Sequence, residues 1–293
     1  ISGRERIGGA TDQNTLVATH NLANVLQLRG KLSEAESLYR KVLASFHCQS
    51  PLGAEHRSTV SIMYALGVLL LQREEFEEAE PLLRKVLTLR QKQKGEGHPD
   101  TLTTLGNLAL LLEQTGSLEE AEVLRRKGLR ISEEKLGPLN PDTLTSVHNL
   151  ACLVSRKGKH EEAEQLLRRV IAACQQSLGK LHPQTLLSIG DLARFLQARE
   201  RLEESETLYR SVIAAVDDNP EEAAHPDTWQ VMAWYADFLS LSNVERFDEA
   251  LIVCTRALEA QRRCLGNDHP QTQQTLTLKI CIEDWAENST SRL

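Results

Sequence analysis

The chain has 293 residues, 41% of them hydrophobic, 26% charged and 4% aromatic, with a formal net charge of -7. The length exceeds one ordinary domain, and the scarcity of aromatic residues argues against a β-sandwich or barrel, whose strands favour them. The acidic balance lacks the basic footprint that nucleic acid or an anionic membrane requires, and no run approaches the roughly eighteen apolar residues of a bilayer span.

Residues 1–10, with Gly8-Gly9, show no periodicity and are expected to form a flexible leader. A repeat then begins. Thr15, Thr59, Thr101, Thr143, Thr185, Thr228 and Thr272 follow one another at separations of 44, 42, 42, 42, 43 and 44 residues. Most stand in a common word: His98-Pro99-Asp100-Thr101, Asn140-Pro141-Asp142-Thr143, His182-Pro183-Gln184-Thr185, His225-Pro226-Asp227-Thr228 and His269-Pro270-Gln271-Thr272. A second anchor, a small residue after acidic ones, runs in phase: Ala35, Ala79, Ala121, Ala163, Ser205 and Ala250. Periods of this size mark stacked supersecondary units.

Each unit reads as two helices. The proline suits the first helical position, where its missing N–H costs nothing, and the acid beside it suits the positive end of the helix dipole. Apolar residues then recur at helical spacing, as in Leu105, Leu108, Ala109 and Leu112. A turn follows, marked by Gly30, Gly116 and Gly158, and the second helix opens on glutamates. Pro81 falls near the start of its helix, where a lost hydrogen bond is cheapest. Glu36→Arg40, Glu80→Arg84, Glu122→Arg126, Glu164→Arg168 and Glu206→Arg210 are i,i+4 pairs that read as a solvated outer face. In the third unit Arg125 and Gly128 replace the apolar residues found elsewhere, so looser packing is expected there. The last unit is a single helix, polar at Lys279 and Glu283, as suits the end of a stack. Residues 288–293 are expected to fray.

This pattern resembles the tetratricopeptide repeat. The long period, the His-Pro-Asp-Thr word and the run Glu77-Glu78-Ala79-Glu80-Pro81-Leu82-Leu83-Arg84 are similar to the kinesin-light-chain subtype. The resemblance implies an all-α, right-handed α-solenoid of stacked antiparallel helix hairpins. It would run as one body over 11–287, with six helix pairs and a capping helix, repeats starting near 12, 56, 98, 140, 182, 225 and 269. It also implies that the first helices line a concave face used for peptides.

Candidate chemistry is sparse. The recurring histidines lie a repeat apart, too distant to share a metal ion, and capping explains them better. No two of the six cysteines form a C-x-x-C pair. No nucleophile, phosphate-loop or zinc-protease motif is present, so no enzymatic activity, cofactor or metal is expected. The sixth residue after each threonine should face the groove: Asn21, Ala65, Asn107, Asn149, Asp191 and Trp234. Three residues further lie Asn24, Val68, Leu110, Cys152, Arg194 and Asp237. Asn21, Asn24, Asn107 and Asn149 offer amides to a peptide backbone, while Trp234 beside Arg194 has hot-spot character. The reading is a non-catalytic scaffold for a peptide or partner protein, neither binding nucleic acid nor inserting in a membrane. The alternative is a subunit built permanently into a multiprotein complex through its edges and ends. A cytoplasmic location is expected, or an organelle after cleavage of a targeting sequence.

Overall fold

In the computed structural model, residues 13–49, 55–221, 223–242 and 246–290 are described. They form thirteen helices: α1 Gln13–Leu28, α2 Leu32–Gln49, α3 Arg57–Gln72, α4 Phe76–Lys94, α5 Pro99–Gln114, α6 Leu118–Leu136, α7 Pro141–Arg156, α8 His160–Ser177, α9 Pro183–Gln197, α10 Leu202–Asp218, α11 Pro226–Ser242, α12 Phe247–Leu265 and α13 Pro270–Thr290. Among the described residues there is no strand. This is an all-α solenoid of helix hairpins. The leader assigned to residues 1–10 lies outside the described residues. The last helix continues to Thr290, three residues past the boundary read from the sequence, since Asn288, Ser289 and Thr290 include no helix breaker.

The recurring word acts at the helix starts. The Nδ1 of His98, His182, His225 and His269 accepts a hydrogen bond from the backbone N–H two residues on, and the Oδ1 of Asn140 does the same for Asp142. His56, which lacks the proline, caps α3 in the same way. Each ring thus satisfies one of the orphan donors of a helix N-terminus. The threonine behind it is buried in every described repeat from Thr59 onward. In two repeats its hydroxyl ties the helix start to the end of the preceding hairpin: Thr101 Oγ1 donates to Gly95 O at 2.9 Å and Thr185 Oγ1 to Gly179 O at 2.8 Å. The hydroxyls of Thr143, Thr228 and Thr272 are instead buried with no hydrogen-bond partner among the described residues.

The second anchor sets how closely paired helices approach. Ala35, Ala79, Ala121, Ala163, Ser205 and Ala250 are fully buried, and Ser205 Oγ donates to Ala193 O across the hairpin. A larger side chain there would force the two backbones apart. The hairpin turns need a left-handed residue. Gly30, Gly116 and Gly158 supply it at φ 75°, 82° and 79°, but Glu74 and Glu200 hold the equivalent places at 62° and 60°. Pro81 is the sixth residue of α4, near its start as the sequence suggested but beyond the positions whose N–H groups lack a helical partner. It therefore removes a true helical hydrogen bond, and packing carries the helix through.

The helices divide into two compact units, one up to Leu153 and one from Val154. The first unit packs Tyr39, Leu70, Leu83, Leu108 and Leu112 in its core. The second centres on aromatic residues, with Tyr209, Tyr235 and Phe238 in mutual contact at ring separations of 5.4–6.2 Å.

Candidate protein-binding faces

The outer-helix charges do more than brace their own helices. All five i,i+4 pairs form, and most of their members also reach the next hairpin. Arg40 binds Glu78 through two parallel bonds of 2.6 and 2.8 Å, and Arg84 binds Glu120 likewise at 2.7 and 2.8 Å. In the second unit, Glu164 accepts from Arg201 and Glu206 from Arg246. Such forked pairs fix register between neighbours. The face read as merely solvated is a ladder of cross-repeat ion pairs, and Glu122 on it is buried.

The row of asparagines divides on inspection. Asn21 is exposed. Asn24 is half-buried and accepts the Tyr39 hydroxyl at 2.6 Å through Oδ1, which binds it within its own hairpin. Asn107 donates Nδ2 to the Tyr64 hydroxyl of the preceding repeat at 2.8 Å. Asn149, half-buried, has no hydrogen-bond partner among the described residues. Two of the four are thus engaged in holding the fold.

Arg125 does not sit in an apolar slot unsupported. Its Nε donates to Glu113 Oε1 at 2.8 Å, with the two side chains only 12% and 8% exposed. Gly128 beside it admits Leu105, whose Cδ2 lies 3.0 Å from where a Cβ would stand. Arg125 also lines a cavity of about 520 Å³. It is lined by the first helices α5 and α7 and by α6, including Gly106, Asn107, Arg125, Ser132, Ser146 and Asn149.

In the second unit, Arg194 on α9 is exposed and Trp234 on α11 half-buried, with the guanidinium carbon 4.5 Å from the ring centroid. The two residues paired from the sequence do meet, across consecutive repeats. Asp237, one turn along α11, has its carboxyl pushed above the usual range by burial, with Arg194 acting in the opposite sense. Trp229 and Phe238, on the same helix, are buried in packing.

Sequence reading passed over Tyr64, Arg90, Ser132 and Ser146. Arg90 is buried, stacks 4.1 Å from the Tyr64 ring centroid, and donates to Asp100 O and Thr104 Oγ1. Comparing the fifth residue after each threonine and the eleventh after each small anchor would have flagged them: Tyr64 against Gly106, Arg90 against Ser132.

Among the described residues no group of three or more His, Cys, Asp or Glu side chains stands where it could hold a metal ion. No described helix is long and apolar enough to cross a membrane.

The tetratricopeptide repeat profile matches residues 58–134, 100–176 and 155–218, and a second profile of that repeat matches 15–56. No curated protein matches the sequence. Among solved structures, nearly identical TPR-like repeats from Podosopora anserina, described as of a kinesin light chain, are 29% identical. That match covers 70% of this chain and 96% of the other, at TM-score 0.63. BtubC (BKLC) from P. vanneervenii is 18% identical over 71% of this chain and 82% of its own, TM-score 0.59. The Rap conjugation gene regulator of plasmid pLS20, in complex with the Phr* peptide, is 14% identical over 91% and 74%, TM-score 0.52. The last two establish likeness of fold alone.

Proposed function

Because the chain belongs to the tetratricopeptide repeat family, with repeats of the kinesin-light-chain-like kind, we propose that it is a non-catalytic scaffold binding a peptide or partner protein on its concave, first-helix surface. The observation that carries this reading is the Arg194–Trp234 stack. A tryptophan on that face offers a large contact area at little entropic cost, and the arginine over it keeps its N–H donors turned to whatever lies alongside. Asn149 and the cavity beside it offer a second foothold in the first unit. The Rap regulator, seen with the Phr* peptide, is an instance of a similar fold holding a peptide.

A native pull-down with identification by mass spectrometry tests the reading. Wild-type protein is expected to retain a partner that Trp234→Ala loses. Equal retention by both proteins would remove Trp234 from the binding surface.

One observation favours a second reading, a subunit built into a larger assembly through an exposed apolar helix. Val17, Leu22, Val25 and Leu28 of α1 are exposed, Leu28 at 88%. Size exclusion of natively purified protein separates the two, since permanent residence in a large complex favours the subunit.

A further inference from the structure

The cavity between α5, α6 and α7 has a counterpart one repeat earlier, and there the chain fills it itself. Tyr64, the fifth residue after Thr59, corresponds to Gly106, and Arg90, the eleventh after Ala79, corresponds to Ser132. In the earlier interval the Arg90 guanidinium occupies the space. Its Nη1 donates to Asp100 O at 2.9 Å and to Thr104 Oγ1 at 2.7 Å, and its face covers Tyr64. In the next interval both large side chains are gone, and the cavity of about 520 Å³ takes their place.

The acceptors, however, are retained. Asp142 and Ser146 are the repeat equivalents of Asp100 and Thr104, and both line the cavity. Ser146 Oγ donates to Asp142 O at 2.9 Å, as Thr104 Oγ1 donates to Asp100 O at 2.7 Å. A serine or threonine hydroxyl that donates once still accepts, so both arrangements present one carbonyl and one hydroxyl oxygen to an incoming donor. At the mouth, Asn149 takes the place of Asn107, which in the earlier interval is bonded to Tyr64.

Resting on the groove reading above, we infer that this cavity receives the side chain of an arginine from a partner peptide. Its guanidinium takes the position that Arg90 holds one repeat earlier, donating to Asp142 O and Ser146 Oγ. The stem lies against Leu102, Leu110 and Leu136, which line the same cavity. Local charge permits it. Arg125 at the floor is already bound to Glu113, and the Asp142 carboxylate stands exposed at the rim. Arginine suits the site better than lysine, because a planar fork reaches two oxygens at once. A hydrogen bond from a charged donor also adds more than a neutral one.

The experiment uses the full chain and five short capped peptides, alike except for a central arginine, lysine, citrulline, leucine or tyrosine. Binding is followed by NMR through the side-chain amides of Asn107 and Asn149. The arginine peptide is expected to bind about tenfold more tightly than the citrulline peptide. Ser132→Arg, which returns to this interval the residue found one repeat earlier, should fill the cavity and abolish binding. Ser146→Ala, which keeps the cavity but deletes one acceptor, should weaken binding several-fold and serves if Ser132→Arg does not fold. Equal or tighter binding of the leucine or tyrosine peptide overturns the inference, as does arginine binding untouched by Ser132→Arg or Ser146→Ala, or no binding of any peptide. Partner capture lost in Trp234→Ala but intact in both serine variants would sink this site and leave the groove reading standing.

Discussion

The Arg194 guanidinium lies 4.5 Å from the ring centroid of Trp234, joining the first helices of two consecutive repeats in the second unit. The tryptophan also packs at the margin of the aromatic core around Tyr209 and Phe238. It thus contacts both the Arg194 guanidinium and the core. Trp234→Ala is expected to weaken partner capture by about 2 kcal/mol or more. Arg194→Gln, which removes the stacked cation and its charge beside Asp237, should cost about 0.5–1 kcal/mol of stability. Affinity by titration calorimetry and stability by urea denaturation check the two together. If Trp234→Ala loses stability while capture is unchanged, the residue belongs to the core.

The Arg125–Glu113 pair predicts non-additive behaviour. Removing one partner leaves the other charged and buried, so Arg125→Ala should destabilise by about 3–5 kcal/mol. Replacing both, as in Arg125→Leu with Glu113→Leu, should recover most of that loss, because two apolar side chains need no desolvated charge. A double-mutant cycle in urea measures the coupling. Simple additivity would show that the pair contributes nothing.

Glu74 and Glu200 hold left-handed turn positions that glycine occupies in the other described repeats. A left-handed L-residue costs roughly 1–2 kcal/mol, and glycine returns part of that through unfolded-state entropy. Glu74→Gly and Glu200→Gly are each expected to stabilise by about 0.5–1 kcal/mol. The reverse change, Gly116→Glu, should destabilise by a similar amount. Thermal melts of the three variants decide it, and a lowered melting point for Glu74→Gly would mean that its side chain has a role beyond the turn.

The ion-pair ladder gives the protein an acid limit. Hydrogen bonds from Arg40, Arg84, Arg201 and Arg246 hold the carboxyls of Glu78, Glu120, Glu164 and Glu206 below their ordinary value of 4.5. A carboxyl whose folded pKa is depressed contributes stability above its unfolded pKa and loses it as pH falls through the folded value. Stability should therefore decline as pH is lowered below about 4.5, with each pair adding little because most are half-exposed. Arg84→Met removes the share of Glu120, so its urea midpoint should vary less with pH in that window. A variant curve parallel to wild type would show that the Arg84–Glu120 pair is not formed in solution.

The in-phase threonine and alanine anchors were enough to place the hairpins, and the His-Pro words to place the helix starts. Capping and hairpin packing are local, depending on residues within a turn or on a period the eye can follow. The same holds for Glu36 and Arg40, neighbours on one helix by spacing alone. What lay beyond reach was every partner chosen by stacking. Arg40 meets Glu78, Asn107 meets Tyr64, and Arg90 meets Thr104 only because one hairpin rests on the next. The third repeat shows the difference most clearly. From the sequence, Arg125 and Gly128 read as faults in an apolar row. In the folded chain a buried glutamate balances the arginine and Leu105 fills the space beside Gly128. The cavity opens instead where Gly106 and Ser132 replace Tyr64 and Arg90, with acceptors that match those binding Arg90. A helical repeat specifies its units through local periodicity, whereas the space between units depends on the combined volumes and charges of three helices, which no single period records.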